Sequence, residues 1–320
     1  MHCGSAAGKA RKDELDTHEA LDLVHQLKEI DCKGVAMMGG EPFTRPDWPV
    51  IAEEIRSQGM DLSIITNGYS ISESTFNRIE SIRPDLITVS IDGASPTIHD
   101  RIRGRAGSFD HALNSLNRFV DMGLPTGAIT TVHKLNLKEL KAIRSLIIDK
   151  GIAWQVQIAT PFGRLTKEYV LSKEEYYSVA MFVASSQEKY PKKRLTVAGA
   201  HDMGYFSELL PGVQVVAWNG CQAGISTLGI QSNGDMRGCL ALPDTYNEAS
   251  IRKSRLAEVW SSDEFATYSR SVKDSDIKGE CAACEHKAVC KGGCSAVSLS
   301  LGGGLHQDPY CLRLIERQIK

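Results

Sequence analysis

Nine cysteines occur in the 320 residues, and seven of them, Cys221, Cys239, Cys281, Cys284, Cys290, Cys294 and Cys311, crowd into the last hundred. From Cys281 the spacing is C-x2-C-x5-C-x3-C. Cys311 follows after sixteen residues, and Cys221 and Cys239 bracket Gly234 as C-x12-G-x4-C. Clustered thiols in a chain without a secretory signal point to metal rather than disulfides, because reducing surroundings keep structural thiols open. Thiolates select zinc or iron-sulfur clusters, and a set of four suits a tetrahedral zinc as well as a four-iron four-sulfur cube. Seven ligands divide as four plus three. Closed zinc sites would leave one site a ligand short, with His286 and His306 the nearest candidates to complete it.

The elements that must carry these residues follow from periodicity. Ala20, Leu23, Val24, Leu27 and Ile30 recur at helical spacing behind the capping candidates Asp16 and Thr17. Strand signals come at 34–38, 62–68, 86–93, 128–132 and 154–158, alternating with helices, which predicts an α/β fold with a parallel sheet. Polar residues collect at the C-terminal strand ends, where such a sheet presents its ligand site: Thr66, Asn67, Ser90, Asp92 and Gln157 are expected around one mouth. Taken singly, Asn67-Gly68 and Asp92-Gly93 read equally as turns. Ser172-x-x-Glu175 is a capping box that opens a helix to about Tyr190. A division near residue 195 separates domains 1–195 and 196–320, and 229–237 reads as a hairpin turning at Asn233-Gly234, which brings Cys221 toward Cys239.

Composition removes several function classes. Lys+Arg 37 against Asp+Glu 39 gives a net charge of −2, so nothing electrostatic recruits a nucleic acid or an anionic membrane. No apolar run approaches the roughly 20 residues of a membrane span, and the chain reads as cytoplasmic.

Cys3 in His2-Cys3-Gly4-Ser5, Gly39-Gly40-Glu41-Pro42 closing one strand, Ser90-Ile91-Asp92-Gly93 closing another, and the seven-cysteine tail together resemble a radical S-adenosylmethionine enzyme with a SPASM domain. The resemblance implies a partial (β/α)6 TIM-like barrel, lacking its first strand, followed by a small cysteine-rich SPASM domain. It implies that the Gly39-Gly40-Glu41 backbone, with Pro42 fixing the turn, binds the methionine ammonium, and that His2 packs on adenine. Ser90 and Arg103 become candidates for the methionine carboxylate, since a guanidinium can hold that group bidentately. Thr66, Asn67 and Asp92 would face ribose or substrate. Arg103 reads equally as a solvated surface charge, and Glu41 could serve structurally.

In the resembled family a C-x3-C-x2-C motif holds the cluster that binds S-adenosylmethionine. Cys3 matches its third cysteine, and the other two would fall before Met1, so a start upstream of Met1 is expected, along with five of six strand-helix units and an exposed sheet edge. The family pattern assigns Cys281, Cys284, Cys290 and Cys311 to one fully ligated auxiliary 4Fe-4S cluster. It assigns Cys221, Cys239 and Cys294 to a second with an open or externally ligated iron. Cys32 reads as a small buried hydrophobe. The implied activity is cleavage of S-adenosylmethionine to a 5'-deoxyadenosyl radical that modifies a ribosomally made peptide or small protein by cross-linking, oxidation or epimerisation. Electrons would come from a reductant such as a flavodoxin or ferredoxin. Sulfatase maturation fits less well, because Leu240 stands where those enzymes carry an acid after the cysteine matching Cys239. Two other classes remain open: a non-catalytic iron-sulfur or peptide-binding homologue, and a zinc-binding α/β protein.

Overall fold

The computed structural model describes residues 1–319 except His2, Ser5, Gly204, Pro211, Val215 and Val216, and gives no side-chain environment for Ile319. Strand and helix alternate through its first part: α1 (Thr17–Glu29), β1 (Gly34–Met37), α2 (Trp48–Ser57), β2 (Asp61–Thr66), α3 (Glu73–Ile82), β3 (Leu86–Ser90), α4 (Pro96–Arg103), α5 (Ser108–Asp121), β4 (Thr126–Val132), α6 (Leu140–Ile147), β5 (Ala153–Ile158), α7 (Lys173–Lys189) and β6 (Thr196–Gly199). Local chemistry sets the helix starts. Asp16 accepts the Glu19 amide while Glu19 reaches back to the Asp16 amide, and Ser172 and Glu175 form the same reciprocal box at α7. Pro96 stands at the start of α4, and Gly104 ends it at φ 69°.

The six strands pair in sequence order and all run parallel, so every C-terminal strand end lies along one edge. The five strands expected from sequence all form. The expected count of five units becomes six, because Thr196–Gly199 pairs in parallel with Ala153–Val156 and carries the sheet past residue 195. Its four residues are too short a run for periodicity to separate from a loop. Strands β1 and β6 are the two edges of the sheet.

Helices cover only one face. Leu62 and Ile64, Ile87 and Val89, and Trp154, Val156 and Ile158 are buried beneath them in a single core. Residues that alternate with these on β2, β4 and β5, such as Ser63, Ile129, Thr131, Gln155 and Gln157, keep solvent access, while Thr88 and Ser90 on that side of β3 are buried. Trp154 anchors the covered side, 1% exposed, with its indole N–H donating to Thr130 Oγ1 at 2.9 Å. The other face stays partly open to solvent, an arrangement compatible with a partial barrel.

The tail is built from small pieces: an antiparallel sheet of β7 (Gly229–Ile230), β8 (Asp235–Arg237) and β9 (Ala249–Ser250), then α8 (Leu256–Ser261), α9 (Thr267–Arg270), α10 (Lys287–Cys290), α11 (Ser295–Gly302) and α12 (Leu312–Ile319). The hairpin turns at Gly234, φ 86°, as expected. The tail docks on the sheet unit at two places. Gln26 Oε1 of α1 accepts the buried Leu256 amide at 2.8 Å, and Tyr310 Oη donates to the Leu171 carbonyl ahead of α7 at 2.5 Å. Among the described residues no helix is long and apolar enough to cross a membrane.

Candidate functional site

At the C-terminal edge of the sheet, Gly39 and Gly40 follow β1 as exposed backbone. Gly39 has φ 124°, a region that favours glycine, and a Cβ there would meet nothing within 4 Å. Cys3 and Ala7 lie beside this edge. Ala7 lies 3.9 Å from where a Gly40 Cβ would stand, and the Ala7 amide donates to Cys3 Sγ at 3.3 Å. The Cys3 carbonyl accepts the Arg164 amide at 3.2 Å, and a side chain at Gly163 would collide with that carbonyl. Cys3 is thereby pinned between the ends of β1 and β5. Cys32 sits at the opposite end of β1, its thiol donating to the Gly34 carbonyl at 3.3 Å. His2 lies outside the described residues.

Glu41 and Pro42 complete the turn, with Pro42 opening a single 3-10 turn through Thr44. The Glu41 carboxylate is a brace between neighbouring strand ends: Thr66 Oγ1 donates to Oε1 at 2.7 Å, and the Asn67 amide donates to Oε2 at 2.8 Å. Burial raises its pKa above the ordinary glutamate value, partly offset by the Asn67 and Thr66 hydrogen bonds. Thr66 shares the covered side of β2 with Leu62 and Ile64. Asn67 is half-buried and caps the next turn through its Oδ1 on the Tyr69 amide. Gly68, φ 70°, has no room for a side chain against Val89 and Ala112.

Register separates the residues expected to share the mouth. Ser90, Ile129 and Gln155 stand in one row across the open face, with Thr131 and Gln157 paired beyond them and joined by a 2.8 Å Gln157–Thr131 hydrogen bond. Asp92 is fully buried. Its Oδ1 accepts the Thr131 amide at 2.9 Å, and its Oδ2 pairs with Arg103 Nη2 at 2.6 Å. Asn136, which sequence gave no reason to single out, donates to both the Asp92 and Thr131 carbonyls at 3.0 Å. Arg103 is therefore held in place rather than solvated. Its Nε is buried without a hydrogen-bond partner among the described residues, a donor suited to a ligand carboxylate.

In the tail, Cys281, Cys284, Cys290 and Cys311 line one recess together with Gly293 and Asp308. No disulfide joins the seven tail cysteines. Burial pushes the thiols of Cys281 and Cys290 up to about 11 and that of Cys311 up to about 12. Cys239 and Cys294 are raised for the same reason, each with a further contribution from Cys221, which places these three in one neighbourhood. Four of the seven tail cysteines thus share one recess, and the other three are neighbours of one another. Among the described residues no three His, Cys, Asp or Glu side chains converge tightly enough to hold one metal ion. Four thiols around one recess are a donor set suited to an iron-sulfur cube. His286 instead stacks on Phe206 at 4.2 Å, and His306 Nδ1 meets the Lys291 carbonyl at 2.9 Å.

Several residues of this region were not legible in sequence. Asp308 is fully buried, with a carboxyl pushed up to about 7 by burial, and it accepts the Tyr310 amide at 2.8 Å. Tyr205, also fully buried, accepts the Cys294 amide through its hydroxyl at 3.1 Å. The only local hint is Asp308 standing three residues before Cys311.

Comparison with known proteins follows the same division. Residues 1–147 match the family model of the radical SAM superfamily, and residues 221–285 match SPASM, an iron-sulfur cluster-binding domain. The AdoMet-dependent heme synthase of Methanosarcina barkeri is 26% identical over 325 residues, spanning 98% of this chain and 92% of that protein. The mycofactocin maturase MftC of Mycobacterium ulcerans is 25% identical over 317 residues, spanning 98% of this chain and 84% of that protein. Streptococcus suis SuiB, solved with its precursor peptide SuiA, superposes with a TM-score of 0.75 at 17% identity, over 97% of this chain and 72% of that one, which shows a shared fold.

Proposed function

Because the chain belongs to the radical S-adenosylmethionine superfamily and carries a SPASM iron-sulfur region behind its sheet, we propose that it is a maturase that modifies a peptide or small protein by cross-linking, oxidation or epimerisation. S-adenosylmethionine cleaved with one electron supplies methionine and a 5'-deoxyadenosyl radical able to take hydrogen from a substrate. Residues at the mouth would receive it. The Gly39-Gly40 backbone offers carbonyls to its ammonium, while Ser90 and the unpartnered Arg103 Nε face its carboxylate. Glu41, Thr66 and Asp92 set that geometry through the hydrogen bonds they already make, in place of the ribose contacts expected of the last two. Of the thiolates that hold the S-adenosylmethionine cluster, the 320 residues contribute Cys3. Cys281, Cys284, Cys290 and Cys311 would hold one auxiliary cluster, and Cys221, Cys239 and Cys294 the other. Reduction by a flavodoxin or ferredoxin, a cytoplasmic setting and a functional division of the chain near residue 195 belong to the same reading.

The observation that carries the choice of substrate is the open face of the sheet. It presents the Gln155 and Gln157 carboxamides and the Thr131 hydroxyl, paired donors and acceptors that match peptide amides. The maturase MftC and the peptide-bound SuiB support it. Similarity to a heme synthase favours a second reading, in which the open face takes a tetrapyrrole. A chain extended before Met1 so that Cys3 closes a C-x3-C-x2-C motif, loaded anaerobically with iron and sulfide and reduced, is expected to release 5'-deoxyadenosine. Deuterium carried into that product from a labelled precursor peptide encoded beside the gene would support the peptide. Transfer only from a labelled tetrapyrrole would overturn it.

A further inference from the structure

Tyr268, on α9, turns its hydroxyl into the wall of the three-thiol neighbourhood. Its Oη is buried and donates to no acceptor among the described residues, while the Gly238 amide donates to it. A buried phenol left without an acceptor forfeits the hydrogen bonds it would make in water, so a folded protein rarely keeps one without a use. Its surroundings identify the use. A Cβ at Gly238 would collide with this oxygen, so the glycine immediately before Cys239 is the opening through which the phenol approaches that cysteine. Burial raises the phenol's pKa, with Glu248 and then Cys221 and Cys239 adding to it and the Gly238 amide opposing it. Glu248, the other anionic neighbour, is engaged elsewhere, accepting the Ala266 amide at 2.7 Å. The ring is fixed edge-on to Tyr246, with centroids 5.5 Å apart, and its outer side lines an open groove with Lys273 and Lys278. An acceptor for this hydroxyl would therefore stand on the side of Cys239, next to the glycine it approaches.

We propose that the Tyr268 hydroxyl donates a hydrogen bond to a sulfur of the iron-sulfur group held by Cys221, Cys239 and Cys294, and thereby keeps that group's reduction potential up. This rests on the ligand reading given above. Donation to a cluster sulfur stabilises the reduced state, which carries one more negative charge, so losing the donor lowers the potential. The phenol keeps its proton in both states. Its role is to position and tune rather than to react.

The test uses the full chain loaded anaerobically with iron and sulfide and titrated electrochemically with electron paramagnetic resonance detection. Tyr268→Phe keeps the wall of the groove and is expected to move one tail potential negative, leaving the other potential and the iron content unchanged. In cluster-free protein the same variant is expected to be as stable as the parent or more so, since a hydroxyl without an acceptor leaves the interior. An unmoved potential in a fully loaded variant overturns the assignment, as does an equal shift at both potentials, the mark of a general structural change. If the variant takes up no iron, ring-deuterated tyrosine in a Tyr205→Phe background decides: deuterium couplings to the reduced cluster support the contact, and their absence overturns it. A parent chain that binds neither iron nor sulfide would instead overturn the ligand reading itself.

Discussion

The parallel sheet and the cysteine-rich tail bury different things. Beneath the helices of the sheet unit, buried side chains are mostly apolar and meet other apolar side chains, as Trp154, Val156 and Ile64 do. The tail buries Cys290 and Cys294, the carboxyl of Asp308 and the hydroxyl of Tyr268 around short strands and single-turn helices. Apolar burial contributes about 1.5–3 kcal/mol per large side chain and needs nothing further to be favourable. Buried thiols and polar groups contribute only when something takes up their lone pairs and charge. The sheet's core closes on apolar contacts, whereas the tail adds to its apolar residues buried thiols and polar groups suited to inorganic partners.

The largest expected effect breaks the two regions apart. Stripping iron and sulfide from the loaded protein should leave exchange protection in β2 to β5 unchanged while residues 281–311 exchange orders of magnitude faster, because metal binding free energy is folding free energy there. Hydrogen exchange with mass spectrometry checks this, and equal loss in both regions would remove the contrast. Next comes Trp154→Ala, which empties the covered side of the sheet and loses the bond to Thr130 Oγ1. It should cost about 3–5 kcal/mol in urea unfolding, against the much smaller value expected if the tail carried the stability.

A smaller effect probes the seam. Gln26→Ala leaves the buried Leu256 amide without its acceptor and should cost about 1–3 kcal/mol, felt as faster exchange in α8 with α1 unaffected. The smallest concerns pH. Burial raises Glu41 above the ordinary glutamate value, so its contribution is complete below that range and declines as pH rises through the raised value. The parent should lose ground to Glu41→Gln across that window when both are unfolded at a series of pH values, and a difference independent of pH would contradict it.

Much of this was readable from local pattern. The five main strands, the capping residue Asp16, the Ser172–Glu175 capping box, the hairpin at Gly234 and the thiol spacing each depend on residues a few positions apart, where period, cap and turn chemistry act directly. The short β6 was not, since four residues carry no period and only pairing with β5 makes them a strand. The face taken by Thr66 was not legible either: strand ends were read as one register, but alternation turns Thr66 to the covered side and Ser90 to the open one.

Sequence by itself determined which atoms could bind metal, because ligand chemistry is a property of residue type, whereas the grouping of those atoms was an expectation drawn from the family resemblance. Tertiary structure alone decided that Arg103 spends one nitrogen on Asp92 and keeps another unpartnered, that the Cys3 loop rests on Gly40 and Gly163, and that Tyr268 reaches the backbone beside Cys239. These contacts join elements distant in sequence, and their energy depends on packing and burial that no local pattern encodes.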